Sequence, residues 1–484
     1  MTAPTTPVPL VPGGPGEGRP VLDPATGTVL THLPDTTPDA VAATTARAAH
    51  AFEEHWAHTT PAQRAAALTA LARLLREDSG QLAALERAHT GKPTARAEGE
   101  IAFAAEAADF FAAAARHPVG ETHPAGPGLR AYTDRLPVGV CAAIVPNNFP
   151  LLLATWKIAA ALAHGNTVVV KPAPETPLSI RRLVEQAAHV LPDGVLSAVY
   201  GGARTGRALC TRPQVGAVSF TGSTRAGREV ARLCADGPTP LTLELGGKSP
   251  VVVFADADLD AAAHAVVTGF TGNTGQVCVA GSRLIVEDRV HHELVARVAE
   301  LAANLRVGRP TDPTTDLGPL ISAAAADRTT HLVTEAAAAG ARVLLPPGRT
   351  TPRDHLDGGF YVHPAVIDHA PRTGRAWREE IFGPVLAVAS FTHDSEALAL
   401  AHDTAYGLSA SVWTADAHRA EHFARTLRAG MVWVNTWGDT DPAISVGGHG
   451  QSGYGRELGL HAADGYTRPR AVWVAHRSTP QGPR

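Results

Sequence analysis

Residues 275–281 read GQVCVAG and place Cys278 on a glycine-flanked loop behind the polar Gln276. A cysteine on such a backbone can aim its own N–H at the atom its sulfur attacks, although a small buried hydrophobe is the commoner fate of a free thiol. Residues 241–250, LTLELGGKSP, set Glu244 in an apolar strand just before Gly246 and Gly247. A carboxylate there is costly unless it is neutral, paired or hydrated. Burial raises its pKa toward the range of a general base working near neutrality. The other reading is a structural ion pair with Lys248. In residues 141–150, CAAIVPNNFP, an apolar run ends on Asn147 and Asn148, two of only six asparagines in the chain. Turns favour asparagine, which leaves open why a buried strand should end on two amides.

Weaker signals accompany these three. FTGSTRAG at 220–227 offers Gly222, Ser223 and a following helix whose N-terminal N–H groups suit a phosphate, but it lacks the GxGxxG pattern. VVVKPAPET puts Lys171 at a strand end, where open α/β sheets bind ligands. REEIFGP joins Glu379 and Glu380 to Phe382 and a tight turn; a solvated acidic pair is the bland alternative. Lysine occurs only at Lys92, Lys157, Lys171 and Lys248, so 38 of the 42 basic residues are arginine. Where lysine survives, a compact ammonium is the expected requirement. Cys141, Cys210 and Cys234 lie in strand or helical patterns and read as packing residues.

The elements that must carry these residues follow from periodicity. Residues 38–90 read as helix, broken near Ser79-Gly80 and stopped by Gly91, and 100–115 continue the pattern. From about 138 short apolar strands alternate with helices: GVCAAIV, PLLLATWKIAAALAHG, TVVVK, a helix near 178–190, a strand near 197–200, GAVSF, STRAGREVARLCA, LTLEL and PVVVF. That β-α-β alternation predicts parallel sheets covered on both faces. Around 256–276 the chain becomes helical and then enters the Gly-rich loop TGFTGNTGQVCVAG, after which a second α/β stretch runs from SRLIVED through ARVLL, AVASF and SASVW to GMVWVN. The junction of the two lobes is expected near 246–260, and PPGRTTPRDHLDGG reads as a surface loop.

The chain has 484 residues, 44% hydrophobic and 18% charged, with a formal net charge of -4. That balance gives no electrostatic case for nucleic acid or anionic membrane. No apolar run reaches membrane-spanning length, the Pro/Gly-rich start has no signal-peptide pattern, and four scattered cysteines form no zinc pattern. A cytoplasmic, metal-free protein is expected.

Taken in order, PVGVCAAIVPNNFP, WKIAAALAHGNTVVVKPA, FTGSTRAG, LELGGKSP, GQVCVAGSR, EEIFGPV, AYGLSASVW, GMVWVN and GYGRELG resemble the aldehyde dehydrogenase superfamily, from about residue 20 to 475. The resemblance implies an α/β fold with a Rossmann-like cofactor domain, a second α/β catalytic domain and a small β extension for oligomerisation. The implied boundaries are 1–118 with 138–246 for dinucleotide binding, 247–450 for catalysis, 119–137 with 464–476 for oligomerisation, and a tail at 477–484. It implies NAD(P)+-dependent oxidation of an aldehyde to the acid. Cys278 would be the nucleophile, Glu244 the base that activates water, and Asn148 an oxyanion donor beside the Cys278 N–H. Lys157 and Glu457 would stand behind the base as a proton relay. Cofactor contacts carry over to Ile144, Lys171, Gly202, Gly222, Ser223, Leu245, Gly246, Glu380 and Phe382. The implied substrate pocket is apolar, formed by Phe149, Leu152, Leu153, Trp156, Gly272, Val277, Val279 and Trp437, and suits a hydrophobic or aromatic aldehyde. Glycine at 272, where the family often has an aromatic, leaves space beside Cys278. Arg283 stays open as a partner for a substrate carboxylate.

Some positions depart from the family pattern. Asn147 replaces a frequent aromatic, and Ser445, Val446 and Gly450 replace proline, phenylalanine and lysine near the entrance. Pro174 stands where NAD-preferring members commonly carry glutamate, with Glu175 one place late. Dual use of NAD+ and NADP+ is therefore expected, NAD+ weakly favoured, with Arg225 or Arg204 able to attract a 2′-phosphate. The segments around 119–137 and GYTRPRAVWV, shortened by Pro469, are expected to pair subunits into a homodimer or homotetramer. A cysteine-dependent esterase and a non-catalytic binding descendant of the fold are the alternative functions.

Overall fold

The computed structural model describes residues 18–117, 120–126, 128–345 and 358–475. The N-terminal segment, the expected tail at 477–484, the 118/119 boundary and most of the loop at 346–359 lie outside the described residues. The fold is mixed α/β, organised around two largely parallel sheets.

The first sheet has six strands in the order Gly453–Tyr454, Leu241–Glu244, Val215–Thr221, Val140–Ile144, Thr167–Lys171, Leu196–Ala198. All are parallel except Gly453–Tyr454, which joins the edge antiparallel with Gly453 opposite Glu244. Sequence progresses outward in both directions from Val140–Ile144, so a crevice opens at the carboxyl ends of the central strands. Val140, Ala142 and Ile144 pack into one buried cluster with Val218 and Phe220, while Cys141 and Ala143 pack into the opposite one with Val168 and Val170. Both faces are dry, which explains why the strand reads as one continuous apolar run.

The second sheet has seven strands in the order Arg342–Leu345, Ala365–Asp368, Val385–Phe391, Arg283–Glu287, Pro250–Val253, Ser409–Trp413, Met431–Val434. Only Arg342–Leu345 runs antiparallel. A three-stranded antiparallel sheet orders Thr467–Ala475, Leu129–Pro137 and Glu121–Pro124. Its ladder runs through Pro469, opposite Arg135, for the full nine pairs, so proline does not shorten this pairing.

The helical region at 38–90 is broken once more than expected. His55 ends Pro38–Glu54, and Thr60 opens Pro61–Glu77 with a capping box to Gln63 and Pro61 at the first turn. Further on, the helix expected before the Gly-rich loop is Leu259–Thr271, and the strand Ala365–Asp368 was not anticipated at all. Four buried residues between His363-Pro364 and His369 are too few to show a period.

Gly91 closes the helix Ser79–Thr90 with φ +77, and a Cβ there would lie 2.5 Å from Pro319 and 2.8 Å from Pro24. Both the left-handed backbone and the contact exclude a side chain. Gly91→Ala is expected to destabilise the protein by about 2 kcal/mol or more in chemical denaturation, at the upper end of ordinary single substitutions.

Candidate active site

The carboxyl edge of the first sheet delivers the candidate residues one strand at a time. Val140–Ile144 leads through Val145-Pro146-Asn147 to Asn148, Thr167–Lys171 ends on Lys171, Val215–Thr221 leads to Gly222 and Ser223, and Leu241–Glu244 ends on Glu244. Cys278 comes from the other lobe, on the loop after Leu259–Thr271. That loop is wound tightly: Asn273, Thr274 and Gly275 have φ of +47, +55 and +73. Two consecutive non-glycine residues in the left-handed region are strained and persist only if held. Thr274 Oγ1 donates to Gly318 O at 3.1 Å, and Gln276 Nε2 to Asn273 O at 3.2 Å.

Two cavities meet at the sulfur. One, of about 860 Å³, is a long cleft lined by Ile144, Lys171, Gly202, Gly222, Ser223, Leu245, Gly246, Glu380, Phe382 and Asn148, among others. The other, of about 620 Å³, is lined by Phe149, Leu152, Leu153, Trp156, Gly272, Val277, Val279, Trp437 and Glu457, with Phe103 and Trp433 adding aromatic surface. Only Cys278, Glu244, Thr221 and Leu153 line both. A side chain at Gly272 would meet nothing within 4 Å, so the space beside Cys278 is open. Of the residues expected at the site, Lys157 alone lines neither cavity.

The neck between the cavities is electrostatically unusual. Glu244 is 8% exposed, and its Oε1 has no hydrogen-bond partner among the described residues. Burial raises its pKa well above the ordinary carboxylate value, and the nearby Glu457 adds to the effect. The expected alternative pairing with Lys248 is absent: Lys248 Nζ has no hydrogen-bond partner either, and burial pulls its pKa down to about 7. Lys157, fully buried on Pro150–Ala163, instead makes an ion pair with Glu457 and donates to Thr221 Oγ1 at 2.7 Å and Ser219 Oγ at 3.0 Å. Polar groups thus run continuously from Lys157 through Thr221 to the neck. Burial, with Glu380 and Glu244 nearby, pushes the Cys278 thiol up to about 12, and the main-chain N–H groups of Val279 and of Cys278 itself oppose the shift.

Asn148 is gripped at both ends. Its Nδ2 donates to Gln276 O at 2.9 Å, and its main-chain oxygen accepts from Lys92 Nζ at 3.0 Å and Asn273 Nδ2 at 3.1 Å. A carboxamide carries two N–H bonds, so one remains for a ligand beside Cys278. Sequence reasoning missed Thr221, Ser219, Asn273 and Gln276, which are ordinary polar residues without a signal of their own. Lys92 carried one, the scarcity of lysine.

The long cleft has the features a dinucleotide needs. The helices Ala203–Cys210 and Thr224–Asp236 start at Gly202 and Ser223 and turn their N-terminal N–H groups toward it. A side chain at Gly246 would run into the Glu380 carboxylate, and Gly247 N donates to Glu380 Oε1 at 3.3 Å. Burial lifts Glu380 to about 7. Glu379 is exposed at the same cleft and is paired with Arg375 at 3.0 Å. Lys171 Nζ donates to Pro172 O at 2.8 Å, and burial lowers it to about 8, opposed by the nearby Glu175. Pro174, Glu175, Arg207 and Arg225 line the cleft; Arg204 does not.

Arg283 is excluded as a substrate ligand. It is fully buried, donates to the main-chain oxygens of Lys248, Leu400 and Ala401 at 2.9, 2.8 and 2.7 Å, and stacks on Trp377. Of the departures, Val446 lines the second cavity and exchanges main-chain hydrogen bonds with Glu457, while Asn147 lines the long cleft. His291, Asp368 and His369 form the one group of possible metal ligands among the described residues. It lines neither cavity, and His291 Nε2 already bonds Asp368 Oδ1 at 2.8 Å.

A sequence profile of the aldehyde dehydrogenase family matches residues 11–472. Among solved structures, PnpE from Pseudomonas sp. WBC-3 is 38% identical, with 97% of each chain covered and a TM-score of 0.92; PnpE was also solved in complex with nicotinamide adenine dinucleotide. An NAD-dependent aldehyde dehydrogenase from Sinorhizobium meliloti is 37% identical over 96% of this chain and 93% of its own, TM-score 0.92. Betaine aldehyde dehydrogenase from Staphylococcus aureus, in complex with NAD+, is 31% identical over 96% and 93%, TM-score 0.93.

Because the folded protein holds the Glu244 proton more tightly than the unfolded chain, ionising it on raising the pH costs stability. Glu244→Gln removes that cost. Its gain in melting temperature over the parent is expected to be larger at pH 8.5 than at pH 5.5; equal gains would contradict the assignment.

Proposed function

The chain belongs to the aldehyde dehydrogenase family, and from that premise we propose that it oxidises a bulky, apolar or aromatic aldehyde to the carboxylic acid with NAD+, through a covalent intermediate on Cys278. The observation that carries the proposal is the pair of cavities joined at Cys278 and Glu244. One is polar-ended and long enough for a dinucleotide, the other aromatic and open beside the sulfur. The division into a dinucleotide-binding part (1–118 with 138–246) and a catalytic part (247–450) belongs to the same proposal.

In this mechanism the Cys278 sulfur attacks the aldehyde carbon as its thiolate. The carbonyl oxygen becomes negative and is met by the second N–H of Asn148 and the N–H of Cys278. Donors fixed before reaction need no reorganisation, and losing one costs ~10²–10³ in rate. Lys171, the helix ends at Gly202 and Ser223, and Glu380 would hold a nicotinamide dinucleotide, which would supply the acceptor for the hydride that leaves the carbon. Cys278 is left as a thioester. Glu244, ionised, takes a proton from water, whose oxygen attacks the thioester carbon; the C–S bond breaks, releasing the acid and returning Cys278 as its thiolate. Thr221 and the Lys157–Glu457 pair provide the route by which that proton leaves Glu244. Since the base must be ionised, hydrolysis slows as pH falls, and the raised pKa of Glu244 moves that loss above the ordinary carboxylate range.

Several features support the substrate and cofactor preferences. Phe103, Phe149, Trp156, Trp433 and Trp437 supply aromatic faces, and Gly272 leaves room for a branched or ring-bearing substrate. Glu175, one place later than in NAD-preferring relatives, still lines the cleft with Lys171 and keeps a carboxylate near a 2′-phosphate. Arg225, 87% exposed at the rim, attracts one only weakly. NAD+ is therefore favoured, with NADP+ also used.

Reduced dinucleotide formation over a panel of aldehydes tests this reading. Aromatic aldehydes should give kcat/KM at least ~10-fold above acetaldehyde, the scale set by a few buried methylenes. Gly272→Phe should erase that ratio while leaving acetaldehyde turnover within ~3-fold, because the added ring fills the space beside Cys278. A panel led by acetaldehyde contradicts the proposed substrate class. Glu175→Gln should raise kcat/KM for NADP+ relative to NAD+ by ~10-fold or more, about 1.4 kcal/mol of removed repulsion; no change would remove Glu175 from cofactor choice.

A further inference from the structure

Three of the four lysines lie in stretches that build the site; Lys92 does not, and the mechanism above leaves it idle. The left-handed turn at Gly91 sends its side chain straight into the interior, where it is wholly buried. Nζ makes an ion pair with Glu100, lies 3.7 Å from Glu86 Oε2, stands 4.9 Å over the Phe149 ring and donates to Asn148 O at 3.0 Å.

Satisfying one main-chain oxygen does not require a buried ammonium, which costs several kcal/mol in desolvation and needs a carboxylate beside it. Nor is Lys92 needed to start the helix Pro150–Ala163. Glu86 already does that, since its Oε1 accepts from Leu151 N at 3.0 Å and from Ser179 Oγ at 2.6 Å. What the ammonium adds is a charge-assisted hydrogen bond, stronger than a neutral one, to the peptide carbonyl of Asn148. Lys92 and Asn273 hold the Asn148 main-chain oxygen, which fixes where the side chain starts, and Gln276 O holds its Nδ2, which fixes where it ends.

We propose that Lys92, itself held by Glu100, is a positioning residue that fixes the Asn148 amide in the orientation the reaction uses. The inference rests on the reading of Asn148 as the oxyanion donor. A catalytic amide misplaced by a fraction of an ångström to an ångström loses up to ~10²-fold in rate, so Lys92 acts on kcat rather than on binding.

The test is a double-mutant cycle between Lys92→Met and Asn148→Ala. It is read in two assays: dinucleotide-dependent aldehyde oxidation, and p-nitrophenyl acetate hydrolysis with no dinucleotide added. In the parent background Lys92→Met should lower kcat in both assays by ~10- to 100-fold, with KM within ~3-fold. In the Asn148→Ala background the same change should cost less than ~2-fold, because the amide it positions is gone. Equal factors in both backgrounds, or an unchanged kcat for Lys92→Met, would overturn the inference. If Asn148→Ala alone leaves kcat untouched, the oxyanion reading has failed and this inference falls with it. Should Lys92→Met fail to fold with Glu100 left unpaired, Lys92→Met with Glu100→Gln removes both charges; the same loss and the same non-additivity are expected of it.

Discussion

A carboxylate that is buried and short of hydrogen-bond donors is the constraint around which this molecule is arranged. Glu244 sits at the end of a strand whose own backbone is fully engaged, with Gly453 paired to it on one side and Gly222 N donating to its carbonyl at 3.1 Å. Its position is therefore set by the sheet, and only its side chain is free to change protonation. Lys157, the cation that pulls most on Glu244, is already committed to Glu457, Ser219 and Thr221. A lysine given directly to Glu244 would keep it ionised and weakly basic; one held a step behind suits the proposed mechanism, in which the base stays strong and its proton has a way out.

The second constraint is that the sulfur must reach this carboxylate from the other lobe. Nothing in the regular elements carries it there. The chain leaves Leu259–Thr271 through three left-handed residues, and Gly275 lies so close to Gly383 that no side chain fits. Gly247 in turn allows the main-chain oxygen of Cys278 to approach the first sheet's carboxyl edge. Strain of this kind is maintained only where the surroundings over-determine it, and here the surroundings are Asn148, Gln276 and Gly318. Asn148 and Gln276 both belong to that set of hydrogen bonds, so the strand end that carries Asn148 and the loop that carries Cys278 are braced as one unit.

How far the sequence discloses this depends on the kind of signal involved. Strands buried on both faces read as apolar runs, and the order of elements places their carboxyl ends together, so Asn148, Lys171, Gly222 and Glu244 were legible as edge residues before any coordinates. Cys278, Glu380 and Phe382 were legible through motif context, as were Phe149, Leu152, Leu153, Trp156, Val277, Val279 and Trp437 in the aromatic cavity, though not Phe103 or Trp433. Four buried residues at Ala365–Asp368 were not, because a run that short has no period. Arg283 was left open because an arginine near a nucleophile can serve as a ligand; the fold closes that option by having it satisfy three carbonyls far inside. Lys92 lay in plain view as one of four lysines. Its partner is a main-chain oxygen 56 residues away, a contact that only the fold supplies.

The account turns on one covalent bond. Acid-quenched peptide mapping by mass spectrometry, within milliseconds of mixing the protein with a bulky aromatic aldehyde and NAD+, measures it directly. The predicted result is an acyl adduct confined to the peptide that carries Cys278, appearing with the first turnover and accumulating when Glu244 is replaced by glutamine. Acid product formed at the normal rate with no adduct on that peptide would contradict the account.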